Sequence, residues 1–147
     1  MNNLKFRVWD KENSKWYKAI YKAYKDCVEF MVVTMDGDLL MIKNGEIIHQ
    51  SIFPNRFELV QSTGLFDKNG IEIFNGDIVK NFLDEPAIVK FGEYMAGGTD
   101  FYAESAYGFY VQRLLKGQEI EDDTETLGNH EVIGNRFTNP ELLNNQN

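Results

Sequence analysis

The side chains best suited to chemistry lie far apart along this chain. Asp122-Asp123-Thr124-Glu125 presents oxygen donors of the kind that hold Mg²⁺ or Ca²⁺. Adjacent carboxylates on an exposed loop rarely converge on one ion, and the spacing is no calcium-loop signature, so a solvated acidic loop is expected. His130 stands beside Glu131, and an imidazole that titrates near neutrality suits general acid-base work. A triad would need a serine or Cys27 brought close in space, and the chain has no Gly-x-Ser-x-Gly elbow. His130 therefore reads as a structural histidine at a strand edge, and His49 carries still less signal. Gly97-Gly98 lacks the phosphate-loop lysine and the Gly-x-Gly-x-x-Gly register, and no helix pattern follows it; it reads as a flexible tip. One Cys and two His can build neither an internal disulfide nor a Cys/His zinc cage, and Cys27, just ahead of an apolar run, is expected to be a core thiol. No catalytic residue, metal or cofactor is expected.

The elements that would position these groups are strands. Asp36-Gly37, Asn44-Gly45, Asn69-Gly70 and Asn75-Gly76 are Asn/Asp-Gly pairs, which supply the positive φ angles of tight hairpin turns. Each sits between short apolar runs, the pattern of an antiparallel meander. Leu4 to Trp9 alternates apolar and basic residues, giving one core face and one wet face. Strands are expected near 4–9, 28–34, 39–43, 46–50, 57–61, 71–74, 78–82, 86–91, 108–113 and 131–135. Tyr17, Ile20, Tyr21 and Tyr24 fit helical spacing and strand propensity equally, so the segment 16–25 stays open. Glu93 to Ser105 reads as a long hairpin tip or irregular loop, and Lys116 to Asn129 as a solvated loop. Asn139-Pro140-Glu141 opens a short C-terminal helix, with Asn139 as its N-cap. The Asn75-Gly76-Asp77-Ile78-Val79 stretch has the Gly-Asp-x-Val form common in small SH3-like barrels. The expected fold is thus mainly β (β-rich α+β), an antiparallel hairpin meander with a small SH3-like barrel-type subdomain and the short terminal helix. It forms a single domain over 1–147, with lobes at 1–60 and 61–143.

Composition bounds the function. The 147 residues are 43% hydrophobic, 26% charged and 14% aromatic, which is the make-up of a globular chain with a substantial core. No apolar run approaches the ~20 residues of a bilayer span, and the first residues carry no apolar signal region, so the expected address is the cytoplasm. Lys and Arg number nine against eight acids in 1–62, five against eight in 63–117 and one against seven in 118–147, for a net −8. Generic nucleic-acid binding draws on phosphate neutralisation, which an acidic surface opposes. The one basic and aromatic stretch lies near the N-terminus, where Lys5, Arg7, Lys15 and neighbours interleave with Trp9, Trp16 and Tyr17. Aromatics among cations can stack bases; the plainer account is an aromatic core face with solvated lysines.

Three blocks carry a family resemblance. They are Lys5-Phe6-Arg7-Val8-Trp9-Asp10, the run from Gln61 through Gly64-Leu65-Phe66-Asp67-Lys68-Asn69-Gly70 to Gly76-Asp77-Ile78-Val79, and Glu131-Val132-Ile133-Gly134-Asn135-Arg136-Phe137-Thr138-Asn139-Pro140-Glu141-Leu142-Leu143. With them the chain resembles the YopX family of bacteriophage and prophage proteins. That resemblance implies a phage or prophage protein of mostly β fold that tends to self-associate, and it implies no reaction. The motif residues Trp9, Asp10, Gly64, Leu65, Asp67, Lys68, Gly70, Gly76, Asp77, Gly134, Asn135 and Pro140 read as architectural. The expected function is a non-enzymatic interaction module that pairs with itself and with a host or phage protein. The alternative is a nucleic-acid-associated small barrel using Lys5, Arg7, Lys15 and Trp16. Open sheet edges and a high aromatic load also predict self-association, with Trp9, Trp16, Tyr17, Phe101, Tyr102 and Tyr107 as candidates for a surface patch.

Overall fold

All four Asn/Asp-Gly pairs turn the chain, with φ between +79° and +87° at Gly37, Gly45, Gly70 and Gly76; three close hairpins as expected, whereas Asn75-Gly76 leads from Glu72–Phe74 to Asp77–Lys80, strands that pair with other partners. The computed structural model describes residues 4–22, 27–96, 104–115 and 117–144. The chain is built of antiparallel strands and divides into two compact units: an N-terminal one, Phe6–Val60, and a C-terminal one made of Met1–Lys5 and Gln61–Asn147. No described helix is long and apolar enough to cross a membrane.

In the N-terminal unit, β1 (Phe6–Asp10) pairs with β2 (Lys15–Trp16), placing Trp9 opposite Trp16 and Asp10 opposite Lys15. A four-stranded meander follows: β3 (Ile20–Lys22), β4 (Cys27–Val33), β5 (Leu39–Lys43) and β6 (Glu46–His49). The segment that read as helix or strand is therefore strand at Trp16 and at Ile20–Lys22, with Tyr17 to Ala19 irregular between them, and Tyr24 lies outside the described residues. Propensity decided it, because Tyr21 gains a cross-strand partner in Val28 and stacks on Phe30 at 6.1 Å. Val8, Trp9, Leu39, Met41 and Val60 are buried. Cys27 is half-buried at the start of β4, so it lies at the margin of the core.

In the C-terminal unit, β9 (Asp77–Lys80), β10 (Pro86–Ala96), β11 (Glu104–Leu115), β12 (Gln118–Asp122) and β13 (Glu131–Asn135) form one sheet in the order β12-β11-β10-β9-β13. The second half of β7 (Phe57–Phe66) pairs with β8 (Glu72–Phe74). One of the protein's antiparallel sheets is curled as a half-barrel. Ile73, Val79, Ala87, Val89, Val111 and Leu127 make the core. Gly92 faces Gly108 across the β10–β11 pair, with φ of +150° and +153°. Two residues without Cβ at one rung let both strands bend there together, a conformation that side chains rarely permit.

Three sequence expectations are sharpened here. Of the two readings of Glu93 to Ser105, the end of a long hairpin fits where the stretch is described and the irregular loop does not, because β10 and β11 pair as far as Ala96 and Glu104; Gly97-Gly98, Phe101 and Tyr102 lie outside the described residues. Lys116 to Asn129 is not all loop either: β12 pairs with β11, and Leu127–Asn129 forms a 3-10 turn with Leu127 buried. The terminal helix is a 3-10 helix of four residues, Pro140–Leu143, and Asn139 makes no side-chain cap. Its Oδ1 instead accepts from the backbone N–H of Asn135 (3.3 Å) and the Thr138 hydroxyl (2.7 Å).

Candidate functional site

The polar motif residues face backbone. Asp67 is 5% exposed; its Oδ1 accepts from the N–H of Asn69 (2.8 Å) and Ile71 (2.9 Å), and its Oδ2 from Val132 (2.9 Å). Burial pushes this carboxyl up, but the N–H donors of Val132, Ile71 and Asn69 together hold it below the usual range. Asp77 accepts from Phe74 N–H at 2.9 Å, and Asn135 Oδ1 from Phe137 and Thr138 N–H at 3.0 Å each. Gly70 N–H donates to the Asp67 carbonyl, and Gly76 lies between Val89 and Arg136, donating to the first carbonyl and accepting from the second N–H. Gly64, at φ +77°, donates to the Ser62 hydroxyl. Pro140 opens the terminal 3-10 helix. Lys68 Nζ lies 3.6 Å from Glu131, across the same junction of turn and strand that Asp67 ties together.

Asp10, 3% exposed, is a further buried acid with a strong partner. Arg56 donates from Nε and Nη2 to its two oxygens at 3.1 Å each, and Asn13 Nδ2 adds a bond at 2.7 Å. The Arg56 guanidinium, working against burial and helped by Asn13, brings its carboxyl down to about 2.

His130 and the acidic run make local contacts of their own. His130 is buried, and its Nδ1 sits 2.8 Å from the Thr126 carbonyl; a carbonyl only accepts, so this nitrogen carries the proton. Asp122 pairs with Arg113, while Asp123 Oδ1 accepts from Glu125 N–H, so the acidic run diverges. Among the described residues, no three His, Cys, Asp or Glu side chains are grouped to hold an ion.

Among the described residues, two surfaces stand out. On the C-terminal unit, Leu4, Leu65, Phe66 and Phe109 line a depression of about 520 Å³ beside Ser62 to Gly64. Phe109 packs edge-on against Phe91 at 4.8 Å, and Phe91 against Tyr107 at 5.4 Å, so the apolar surface continues along the β10–β11 pair. Exposure is 51% for Phe66, 47% for Phe91 and 76% for Tyr107. Tyr107 is thus where the sequence placed it. Trp9 is not: it is buried, edge-on to Trp16 at 5.0 Å. Phe66, Phe91 and Phe109 went unread because only the strand register brings them together.

On the N-terminal unit, β1, β2, β4, β5 and the 53–57 stretch enclose a groove with Trp16, Tyr17, Phe53, Phe57 and Arg56 on its walls. The Tyr17 hydroxyl donates to Glu29 at 3.0 Å, and burial followed by this carboxylate pushes the phenol well up. Of the residues named for nucleic acid, Lys15 and Trp16 line this groove, Arg7 lies over the Trp16 ring at 3.9 Å, and Lys5 belongs to the other unit and pairs with Glu72 at 3.2 Å. Phe53, Arg56 and Phe57 had no sequence signal beyond their types.

No curated protein matches the chain. Among solved structures, the crystal structure of protein EF1440 from Enterococcus faecalis aligns with 97% of this chain and 99% of that chain, at 22% identity and a TM-score of 0.45. The family model described as YopX protein matches residues 5–144, nearly the whole length, and the chain belongs to the YopX family.

Proposed function

We propose that this protein is a non-enzymatic accessory protein of a bacteriophage or prophage, acting in the bacterial cytoplasm as an interaction module whose first partner is a second copy of itself. The observation that carries this is the continuous apolar surface through Phe66, Phe109, Phe91 and Tyr107. Clusters of exposed aromatics mark interfaces, and a two-fold pairing buries the same patch on both copies at once. The non-enzymatic part is supported by Asp67, Asp77 and Asn135, whose side chains hold turns rather than point into a cleft.

Charge sets the conditions. Phe6–Val60 carries eight Lys and Arg against eight acids and is neutral, whereas the rest of the chain carries seven against fifteen and holds the whole −8. Pairing through the C-terminal unit therefore brings like charges together, and association strengthens with salt as the Debye length falls from about 10 Å at 0.1 M to about 3 Å at 1 M. Light scattering at both salt concentrations tests the reading. The native chain is expected to associate, more so in high salt, and Phe66→Asp with Tyr107→Asp is expected to stay monomeric and folded. A native monomer in both buffers at high protein concentration overturns it.

A further inference from the structure

The groove of the N-terminal unit encloses about 790 Å³, inside the range of roughly 300–1,000 Å³ typical of small-ligand sites. Its aromatic side is formed by Trp16, Tyr17, Phe53 and Phe57, each half-buried. Its charges sort into those already engaged and those that are not. Asp10 is held by Arg56 and Asn13. Glu29 accepts from Tyr17 and lies 3.9 Å from Lys43. That leaves Lys15 and Lys18, both exposed on the groove, whose ammonium groups meet no acid among the described residues. The β1–β2 pairing that sets Lys15 opposite Asp10, with Tyr17 N–H bonded to the Val8 carbonyl at 2.8 Å, holds this cationic rim beside the rings.

We propose that this groove binds a nucleotide, its planar base against the aromatic side and its phosphate on Lys15 and Lys18. The free charge in the groove is positive, which selects an anion, and both carboxylates are occupied, which disfavours a cationic ligand. The rings stand edge-on to one another, Tyr17 to Phe57 at 82° and Phe53 to Phe57 at 84°; a π-rich side favours a planar ring over the side chains of an acidic peptide, and base–aromatic stacking tolerates any base. A free nucleotide and one residue of a single strand share this chemistry.

Amide chemical-shift titration of the full ¹⁵N-labelled chain tests the proposal, with adenosine monophosphate, adenosine, inorganic phosphate, oligothymidylate and an acidic peptide as separate probes. Saturable shifts are expected around Lys15 to Lys18 and Phe53 to Phe57, with the nucleotide binding about 10-fold or more tighter than adenosine or phosphate alone, since each of the two contacts contributes. Oligothymidylate binding more tightly than the mononucleotide identifies a strand as the source; the reverse identifies the free nucleotide. Lys15→Glu with Lys18→Glu, both at exposed positions, is expected to weaken nucleotide binding by about 10-fold or more while leaving the remaining spectrum intact. No saturable shift at about 10 mM nucleotide, equal binding by the lysine variant, or tighter binding of the acidic peptide overturns it.

Discussion

Replacing Asp67 by asparagine separates one bond from three. The amide oxygen can keep the Oδ1 position and go on accepting from Asn69 and Ile71, but the amide nitrogen then meets the N–H of Val132, donor against donor. The lost bond is charge-assisted, worth about 1.5–3 kcal/mol, and it leaves a buried N–H that costs about 1–3 kcal/mol. The two overlap, so the expected loss is about 2–4 kcal/mol out of the roughly 5–15 kcal/mol that holds a domain folded. With a urea slope of about 2 kcal/mol/M, the midpoint falls by about 1–2 M. Circular dichroism should follow the transition, because both tryptophans lie in Phe6–Val60 and their fluorescence reports the other unit. Amide exchange should show Val132 losing protection, and Asp36→Asn, at an exposed turn residue, should leave the midpoint unmoved. The pH dependence has a defined sign. Asp67 is held below its ordinary value in the folded state, so its stabilisation is present above about pH 3.9 and fades as pH falls through the folded value; the gap between native and variant narrows in acid. A midpoint within about 0.25 M of native, with the Val132 amide still protected, would refute the reasoning.

Arg56→Lys removes the two-pronged hold on Asp10 and should cost about 1–2 kcal/mol near neutrality, after allowance for solvent screening of the pair. Because Asp10 is lowered from 3.8 to about 2, that difference should disappear between those two pH values, as read by acid-dependent melting. Gly134→Ala drives a Cβ against Asn139 Oδ1, 2.7 Å from its Cγ and 2.9 Å from its Cβ, and should lower stability by about 1–3 kcal/mol in the same urea assay. Gly37→Ala meets no atom within 4 Å and strains only φ at +87°, so it should cost about 1 kcal/mol.

What could be read from the sequence was local chemistry. Asn44-Gly45 announced its hairpin because both residues take positive φ, and few other pairs do so cheaply. Leu39–Lys43 and Glu131–Asn135 fell where short apolar runs and neighbouring turns put them. Gln118–Asp122 was hidden because nothing local makes Gln-Glu-Ile-Glu-Asp a strand. It is held from across the sheet, through Arg113 to Asp122 and Gln112 to Glu119, and its charges suit an edge that must not pair with strangers. The candidate surfaces were harder still. Phe91 and Phe109 meet only through a register set by a long strand pair, and Arg56 reaches Asp10 across 46 positions. The motif residues were legible as architecture because Gly and Asp at turns have few other uses.

The place of β9 between β10 and β13 has a consequence in time. One of its neighbours, β10, follows it at once, but the other begins at Glu131, and the Val132 amide that satisfies Asp67 lies 65 positions after it. At a synthesis rate of about 5–20 residues per second, the ribosome needs roughly 3–13 s to travel from one to the other. Until then Ile78 and Val79, fully buried in the finished sheet, border an unpaired strand edge, and the Asp67 carboxylate lacks one of its three donors. The nascent chain thus passes through a stage of several seconds in which a strand destined for deep burial is open to chaperones, to premature pairing with a neighbouring chain, or to proteases.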